Sequence, residues 1–555
     1  MHGDDIPYGL QLSGADPADL SGALRSAFVA LARRPATATR ALGELTLEQL
    51  AVGLDVARAV LDAEGEPAVQ PDAGDRRFGD RAWRTNPILR GVLGSYLTTA
   101  RWAHRTLDSL ELPEQTRAKA QFGLGLLLDA LAPSNLPWVN PEVVKEAYDT
   151  GGLSAVKGAG RFLDDVAVNG GRPREVDRSA FELGRDLAAT PGRVVFRNEL
   201  IELLAYEPQS ELVHAEPIVY TPPWINKYYL MDMAPGRSWI EYAVGQGFTV
   251  FAISWRNPDE SMAALTLDDY LRDGLVAAVD RAAELTGSER VNLVGVCVGG
   301  TLTAIALAVL AAREEADRIG WAALLNTLVD FGDPGEIGVF SDEASIERIE
   351  ERINRRGYMA PEELGGPFML MKANDLVWRY VVSSWQMGKS PEPFDLLAWN
   401  ADGTRLPAAM HSQYLRGCYL ENALIRPGGM VIDGVRVDMS KVSTPLYVLG
   451  SQVDHIVPWR SSYRTTGLVG DDVLYRLSSG GHIAGLVNPP GGKTAKFWAS
   501  EEHPADPDAW LASAEEHQGS WWEDWSAWAG DRSGPQAAPP KLPDGAAAPG
   551  SYVRE

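Results

Sequence analysis

A chain of 555 residues, 45% of them apolar, is long enough for two or more domains around sizeable cores. Its net charge of −24, spread along the whole length, excludes attraction to nucleic acid or anionic lipid through overall charge. Two cysteines, Cys297 and Cys418, are too few for a disulfide framework and lack the Cys/His spacing of a zinc site, so no metal is expected and the setting is expected to be reducing and cytoplasmic.

The opening segment, Met1 to Leu20, contains Asp4, Asp5, Asp16 and Asp19 and no apolar core, so no secretory signal is expected there. Residues 1–187 are predicted to form a mainly helical N-terminal domain. Amphipathic stretches at 45–63 and 142–148 are separated by loops at 66–75 and 132–141. From Arg193 the pattern changes to short β-branched or aromatic runs at 194–196, 218–220, 248–255 and 291–296, with helical periodicity over 267–286. Alternating strands and helices imply a parallel sheet with crossover connections, and the catalytic domain is placed at 188–535. The apolar run that starts at Thr301 ends after about a dozen residues at Arg313, so no transmembrane segment is expected. After 322–325 the alternation stops, and 329–438, rich in Trp, Tyr and Met, reads as a cap inserted into the sheet domain. Strands resume at 445–450 and 473–477. The Pro-, Ala- and Gly-rich end, 536–555, is predicted to be an extended tail with little packing of its own.

The strongest chemical signal is Val291-Asn-Leu-Val-Gly295-Val-Cys297-Val-Gly299-Gly300-Thr301, a buried strand turning through glycines into an apolar helix. It has the form of a nucleophile elbow with Cys where Ser is usual. Such a turn projects the side chain out of the sheet, the helix N-terminus favours negative charge at the sulfur, and the Val298 N–H is placed to donate to an oxyanion. A small buried Cys could equally be core. Two loops downstream supply partners in the order nucleophile, acid, base: Asp454 just beyond one strand, and His482 on a glycine-rich loop beyond the next. His455 reads as a loop residue beside the acid. His2, His104, His214, His411, His503 and His517 read as surface or structural, and Cys418 as core.

These motifs, with Gly481-His482-Ile-Ala-Gly485-Leu-Val-Asn488-Pro-Pro490 and Asp454-His455-Ile-Val-Pro-Trp459, closely resemble the signatures of polyhydroxyalkanoate synthases. The resemblance extends to Trp224-Ile-Asn-Lys-Tyr-Tyr229, Asn374-Asp-Leu-Val-Trp378, Tyr414-Leu-Arg416, Ala132-Pro-Ser-Asn135 and the closing Ala548-Pro-Gly-Ser-Tyr-Val553. Full length and Val298 after the cysteine are similar to the single-component class I enzymes.

The resemblance implies an α/β-hydrolase-type catalytic domain. It also implies an acyltransferase that polymerises (R)-3-hydroxyacyl-CoA into polyester through a Cys297 thioester, with His482 as base, Asp454 as its partner and no cofactor beyond the substrate. A second oxyanion donor is expected near Ile225. Lys372, Lys493 and Lys496 stand where family members tend to carry phosphate-binding Arg, and are the candidates for CoA contacts. A homodimer at the surface of cytoplasmic polymer granules is also implied. Rival readings are a thioesterase or simple acyltransferase on the same fold, and a catalytically idle granule coat protein.

Overall fold

The computed structural model describes residues 17–61 and 65–555; His2 and the expectation placed on the opening segment lie outside them, apart from its last few residues. The chain divides into two compact units. One contains the residues through Asp177 together with Glu362–Glu392, and the other contains Arg178–Pro361 and Pro393–Glu555. The boundary therefore falls ten residues before the expected 187, and the middle of the expected cap belongs to the helical unit. The reason is side-chain packing. Trp385 stands edge-on to Phe162 at 5.0 Å and donates its indole N–H to Asp165 Oδ2 at 2.8 Å. Gly158 has no Cβ because one would lie 2.0 Å from the Trp385 carbonyl oxygen.

In the helical unit, α1 (Pro17–Ala32), α2 (Pro35–Leu61), α3 (Pro87–Asp108) and α4 (Glu114–Ala130) pack through small residues, with Ala23 and Ala27 of α1 against Ala120 of α4. Arg90 of α3 grips the Asp55 carboxylate of α2 with two donors at 2.6 and 2.7 Å. The pair is buried, and the guanidinium also donates to the Gly65 and Glu66 carbonyls, so four of its five N–H groups meet these partners.

The second unit is built on a ten-stranded sheet. Its strands are β1 (Gly192–Arg197), β2 (Ile201–Tyr206), β3 (Ile218–Thr221), β4 (Val250–Trp255), β5 (Val291–Val296), β6 (Ile319–Leu325), β7 (Leu446–Ser451), β8 (Val473–Ser478), β9 (Lys496–Ala499) and β10 (Glu515–Gln518). Their order is β1-β2-β4-β3-β5-β6-β7-β8-β9-β10. The six strands from β4 to β8 run parallel, and both margins are antiparallel. Central strands covered on both faces read as continuous apolar runs, and β5 and β6 are buried at every residue. The helix after β5, α5 (Val298–Ala312), is buried from Val298 through Leu310, which is why its sequence is apolar on all sides. Among the described residues no helix is long and apolar enough to cross a membrane.

The C-terminal segment corrects the expectation of little packing. Ala546 and Ala548 exchange main-chain bonds with Val194 and Gly192 of edge strand β1, at 2.8 and 2.9 Å. Glu202 of β2 then accepts from the Ser551 and Tyr552 amides at 2.8 and 2.9 Å, from the Ser551 hydroxyl, and from Arg197. Main-chain pairing needs no apolar side chain, so a Pro- and Gly-rich composition does not reveal it.

Burial alone would raise the Glu202 pKa, but these donors outweigh it and hold the carboxyl below its usual 4.5. A carboxyl held low in the fold adds stability above that value and loses it as pH falls further. Glu202→Gln is expected to lower the urea-unfolding free energy at pH 7 by about 1–3 kcal/mol. The deficit should shrink at pH values below 4.5, as the wild-type carboxyl also takes up its proton.

Candidate active site

Cys297 joins β5 to α5 with φ 52° and ψ −124°, a conformation that side-chain-bearing residues rarely adopt. The surroundings enforce it. Cys297 N–H donates to Leu325 O at 3.0 Å, and Cys297 O accepts from Gly300, Thr301 and the Thr327 hydroxyl at 2.9, 3.1 and 3.3 Å. The flanking glycines are required by close approach. A Cβ on Gly299 would lie 2.3 Å from Thr221 O and 2.5 Å from Pro222 O, and one on Gly300 would lie 1.9 Å from Thr327 Oγ1. The chain leaving β3 therefore runs directly over the first turn of α5.

Asp454 lies three residues beyond β7 with its side chain fully buried. Its Oδ1 accepts the Ile456 and Val457 amides, both at 2.9 Å, and its Oδ2 pairs with His482 Nδ1 at 2.7 Å. The second ring nitrogen is thereby left free of the carboxylate, and the Cys297 sulfur is near enough to act on the ring electrostatically. Burial lowers the imidazole pKa, but the Asp454 carboxylate and the Cys297 sulfur outweigh it and hold it well above its ordinary value. Sulfur, imidazole and carboxylate are brought together from three chain segments in the expected order.

Aromatic side chains surround this group. Tyr220, Tyr414 and Tyr419 all feel the Cys297 sulfur, and burial pushes each phenol upward. Tyr414 stands edge-on to Trp224, Phe331 and Tyr419 at 5.8, 6.1 and 5.6 Å. Cys418 is fully buried, its thiol pKa driven far up by burial, which makes it a poor nucleophile. His411 is buried too, with its pKa pushed down to about 4 by desolvation.

Val298 opens α5, so its N–H belongs to the first turn, where no intrahelical acceptor exists. Ile225 sits in the loop after β3, and its carbonyl accepts from Thr404 N at 3.1 Å. Lys493 is exposed in a turn. Lys496, on β9, pairs with Glu516 at 2.8 Å and lies over the Trp498 ring, so its charge already has a partner. Lys372, half-buried, belongs to the helical unit and precedes Asn374, whose amide donates to Asp129 Oδ1 at 2.8 Å. Sequence reasoning missed the side chains that hold the His482 loop. The Trp521 and Trp522 indoles donate to Gly485 O and Leu486 O at 2.8 and 2.9 Å, and Asn326 donates to His482 O at 2.7 Å. The Trp521-Trp522 pair in the sequence was the available signal.

The strain at Cys297 has a measurable consequence. Cys297→Gly should be more stable than Cys297→Ala by about 1 kcal/mol in chemical denaturation, because glycine adopts this conformation without a Cβ penalty. Equal stability of the two variants would show that the turn is unstrained.

Comparison with known proteins agrees with this architecture. Residues 74–243 match the family model described as the N-terminus of poly-beta-hydroxybutyrate polymerase, and residues 232–489 match the alpha/beta hydrolase fold. A poly(3-hydroxyalkanoate) polymerase of Methylorubrum extorquens is 43% identical, over 88% of this chain and 82% of its own. The poly(3-hydroxyalkanoate) polymerase subunit of Cupriavidus necator is 41% identical, over 89% and 85%. Poly(3-hydroxyalkanoate) polymerase 2 of Ectopseudomonas oleovorans is 39% identical, over 91% and 90%. With a fold of this type and relatives this similar along nearly the whole length, the chain belongs to the poly(3-hydroxyalkanoate) polymerase family.

Proposed function

We propose that this protein polymerises (R)-3-hydroxyacyl-CoA into polyester, with Cys297 carrying the acyl group as a thioester. The observation that carries the reading is Cys297 held in a strained turn at the start of a buried helix, beside an imidazole paired to buried Asp454 and a cluster of packed aromatic rings. His482 takes the Cys297 proton and the sulfur attacks the thioester carbonyl. The new C–S bond forms as the bond to CoA breaks, and His482 returns the proton to the departing CoA thiolate. Exchange of one thioester for another is nearly isoenergetic, so the acyl group stays reactive. In the second step His482 removes the proton of a 3-hydroxyl, the oxygen attacks the Cys297 thioester, and the sulfur leaves and regains a proton. The Val298 N–H and the Ile225 N–H are the proposed oxyanion donors.

Substrate capture must overcome repulsion between a chain of charge −24 and polyanionic CoA. Lys372 and Lys493 are the proposed phosphate contacts, with Lys496 a weaker one because Glu516 already pairs with it. Assembly as a homodimer and residence at the surface of the polymer granule complete the proposal.

Incubation with 3-hydroxybutyryl-CoA, following CoA release and product mass, tests it. Polymer with CoA release is expected. Free 3-hydroxybutyrate would indicate a thioesterase, and no CoA release an idle coat protein. Cys297→Ala and His482→Gln are expected to abolish CoA release, whereas Cys418→Ala should retain much of it. Asp454→Asn should still permit acylation but stall elongation, leaving short chains on the protein in mass spectra. The double variant Lys372→Glu, Lys493→Glu should raise KM more than it lowers kcat, and salt should diminish the defect. Unchanged kinetics at low salt would place CoA elsewhere.

A further inference from the structure

Three strand ends meet beside the reacting groups, and Asn326 connects them. This residue directly follows β6, is completely buried and has φ 44°. Its amide donates to Leu449 O of β7 at 2.8 Å. Its side chain donates from Nδ2 to the His482 carbonyl at 2.7 Å and accepts at Oδ1 from the Ser451 hydroxyl, at the end of β7, at 3.0 Å. The carboxamide has one self-consistent orientation. A carbonyl oxygen can only accept, so the NH2 must face His482, which leaves the oxygen for the hydroxyl. The next residue, Thr327, donates its hydroxyl to Cys297 O at 3.3 Å. Two consecutive residues thus touch the main chain of both the sulfur-bearing and the imidazole-bearing residue.

The residue type meets two demands at once. A left-handed backbone is open to glycine and, among residues with side chains, chiefly to asparagine and aspartate. Glycine would supply neither donor nor acceptor, and aspartate would set a carboxylate oxygen against the His482 carbonyl. The site also has little slack. A Cβ on Gly485 would lie 2.0 Å from Ser451 Oγ, so the His482 loop rests on the same serine that orients the carboxamide.

We infer that Asn326 is a positioning residue for His482, fixing its main chain against the end of β7 so that the imidazole stays paired with Asp454 beside Cys297. The inference rests on the proposed role of His482 as base. The Trp521 and Trp522 indoles restrain the loop three and four residues further on, whereas Asn326 acts at residue 482 itself. Misplacing a catalytic group by about 1 Å costs on the order of 100-fold in rate.

The test uses the full-length protein. Asn326→Asp keeps the size and the backbone preference but removes the donor, and should lower kcat by roughly 10- to 100-fold with little change in KM. The pH profile of Cys297 inactivation by iodoacetamide should move away from that of wild type, because the imidazole partner has shifted. A residue that only supports the fold would leave this profile unchanged. Ser451→Ala removes one hydroxyl, leaves Asn326 in place, and should produce a smaller change in the same direction, which keeps the inference testable if Asn326→Asp fails to fold. A wild-type kcat and an unmoved inactivation profile in either folded variant would overturn it. The inactivation assay needs no substrate, so it still tests Asn326 should wild type make no polyester, an outcome that would overturn the functional reading alone.

Discussion

Everything about the site follows from one turn that the chain would not adopt by itself. At φ 52° and ψ −124°, Cys297 occupies backbone space that costs on the order of 1–3 kcal/mol for a residue with a Cβ. Such a conformation persists only where the surroundings over-determine it. Here β5 enters the turn as a buried central strand and α5 leaves it with thirteen consecutive buried residues, Val298 to Leu310, so both arms are fixed by packing. The three glycines, 295, 299 and 300, are the sequence trace of that constraint, since each marks a place where another backbone or side chain occupies the space of a Cβ.

Burying an imidazole and a carboxylate beside a sulfur is unfavourable unless every polar atom is met. Asp454 meets the condition with two amides and the ring N–H, and His482 meets it at Nδ1 with the carboxylate and at its main-chain carbonyl with Asn326. The aromatic surroundings add a second effect. In the proposed mechanism a thioester waits for an alcohol and must be kept from water, a demand that apolar rings such as Tyr414, Phe331 and Trp224, packed edge to face, serve. The same apolar enclosure strengthens the electrostatic interactions within it.

How much of this was legible depended on whether a signal was local. The elbow and the loops that bear Asp454 and His482 could be read because each is a strand, a turn and a side chain suited to chemistry within about a dozen positions. β2 could not. Ile201-Glu-Leu-Leu-Ala-Tyr206 is composed largely of good helix formers, and it is a strand because β1 and β4 pair with it on either side. β10, Glu515-Glu-His-Gln518, lacks any apolar residue because it is the exposed edge, where charge discourages pairing with other chains. The placement of Glu362–Glu392 in the helical unit depends on Trp385 meeting residues more than two hundred positions earlier, and no periodicity encodes that. Asn326 escaped notice for a similar reason, since its importance lies in what faces it.

The opposite edge of the sheet is protected by different means, with consequences that reach the site. β1 is covered by the C-terminal segment through main-chain bonds, so the chain closes its own edge. The same segment continues to Lys227, whose buried ammonium donates to Tyr552 O and Glu555 O at 3.3 and 2.9 Å. Lys227 O in turn accepts from the Trp399 indole at 2.8 Å, and Ile225 O accepts from Thr404 N at 3.1 Å. The loop after β3 is therefore gripped on one side by the C-terminal residues and on the other by residues 399–404. A main-chain donor can stabilise developing charge only if its direction is set before the reaction begins. The peptide that carries the Ile225 N–H, proposed above as such a donor, is held at Trp224 O by the Thr404 hydroxyl, a residue about 180 positions further along the chain.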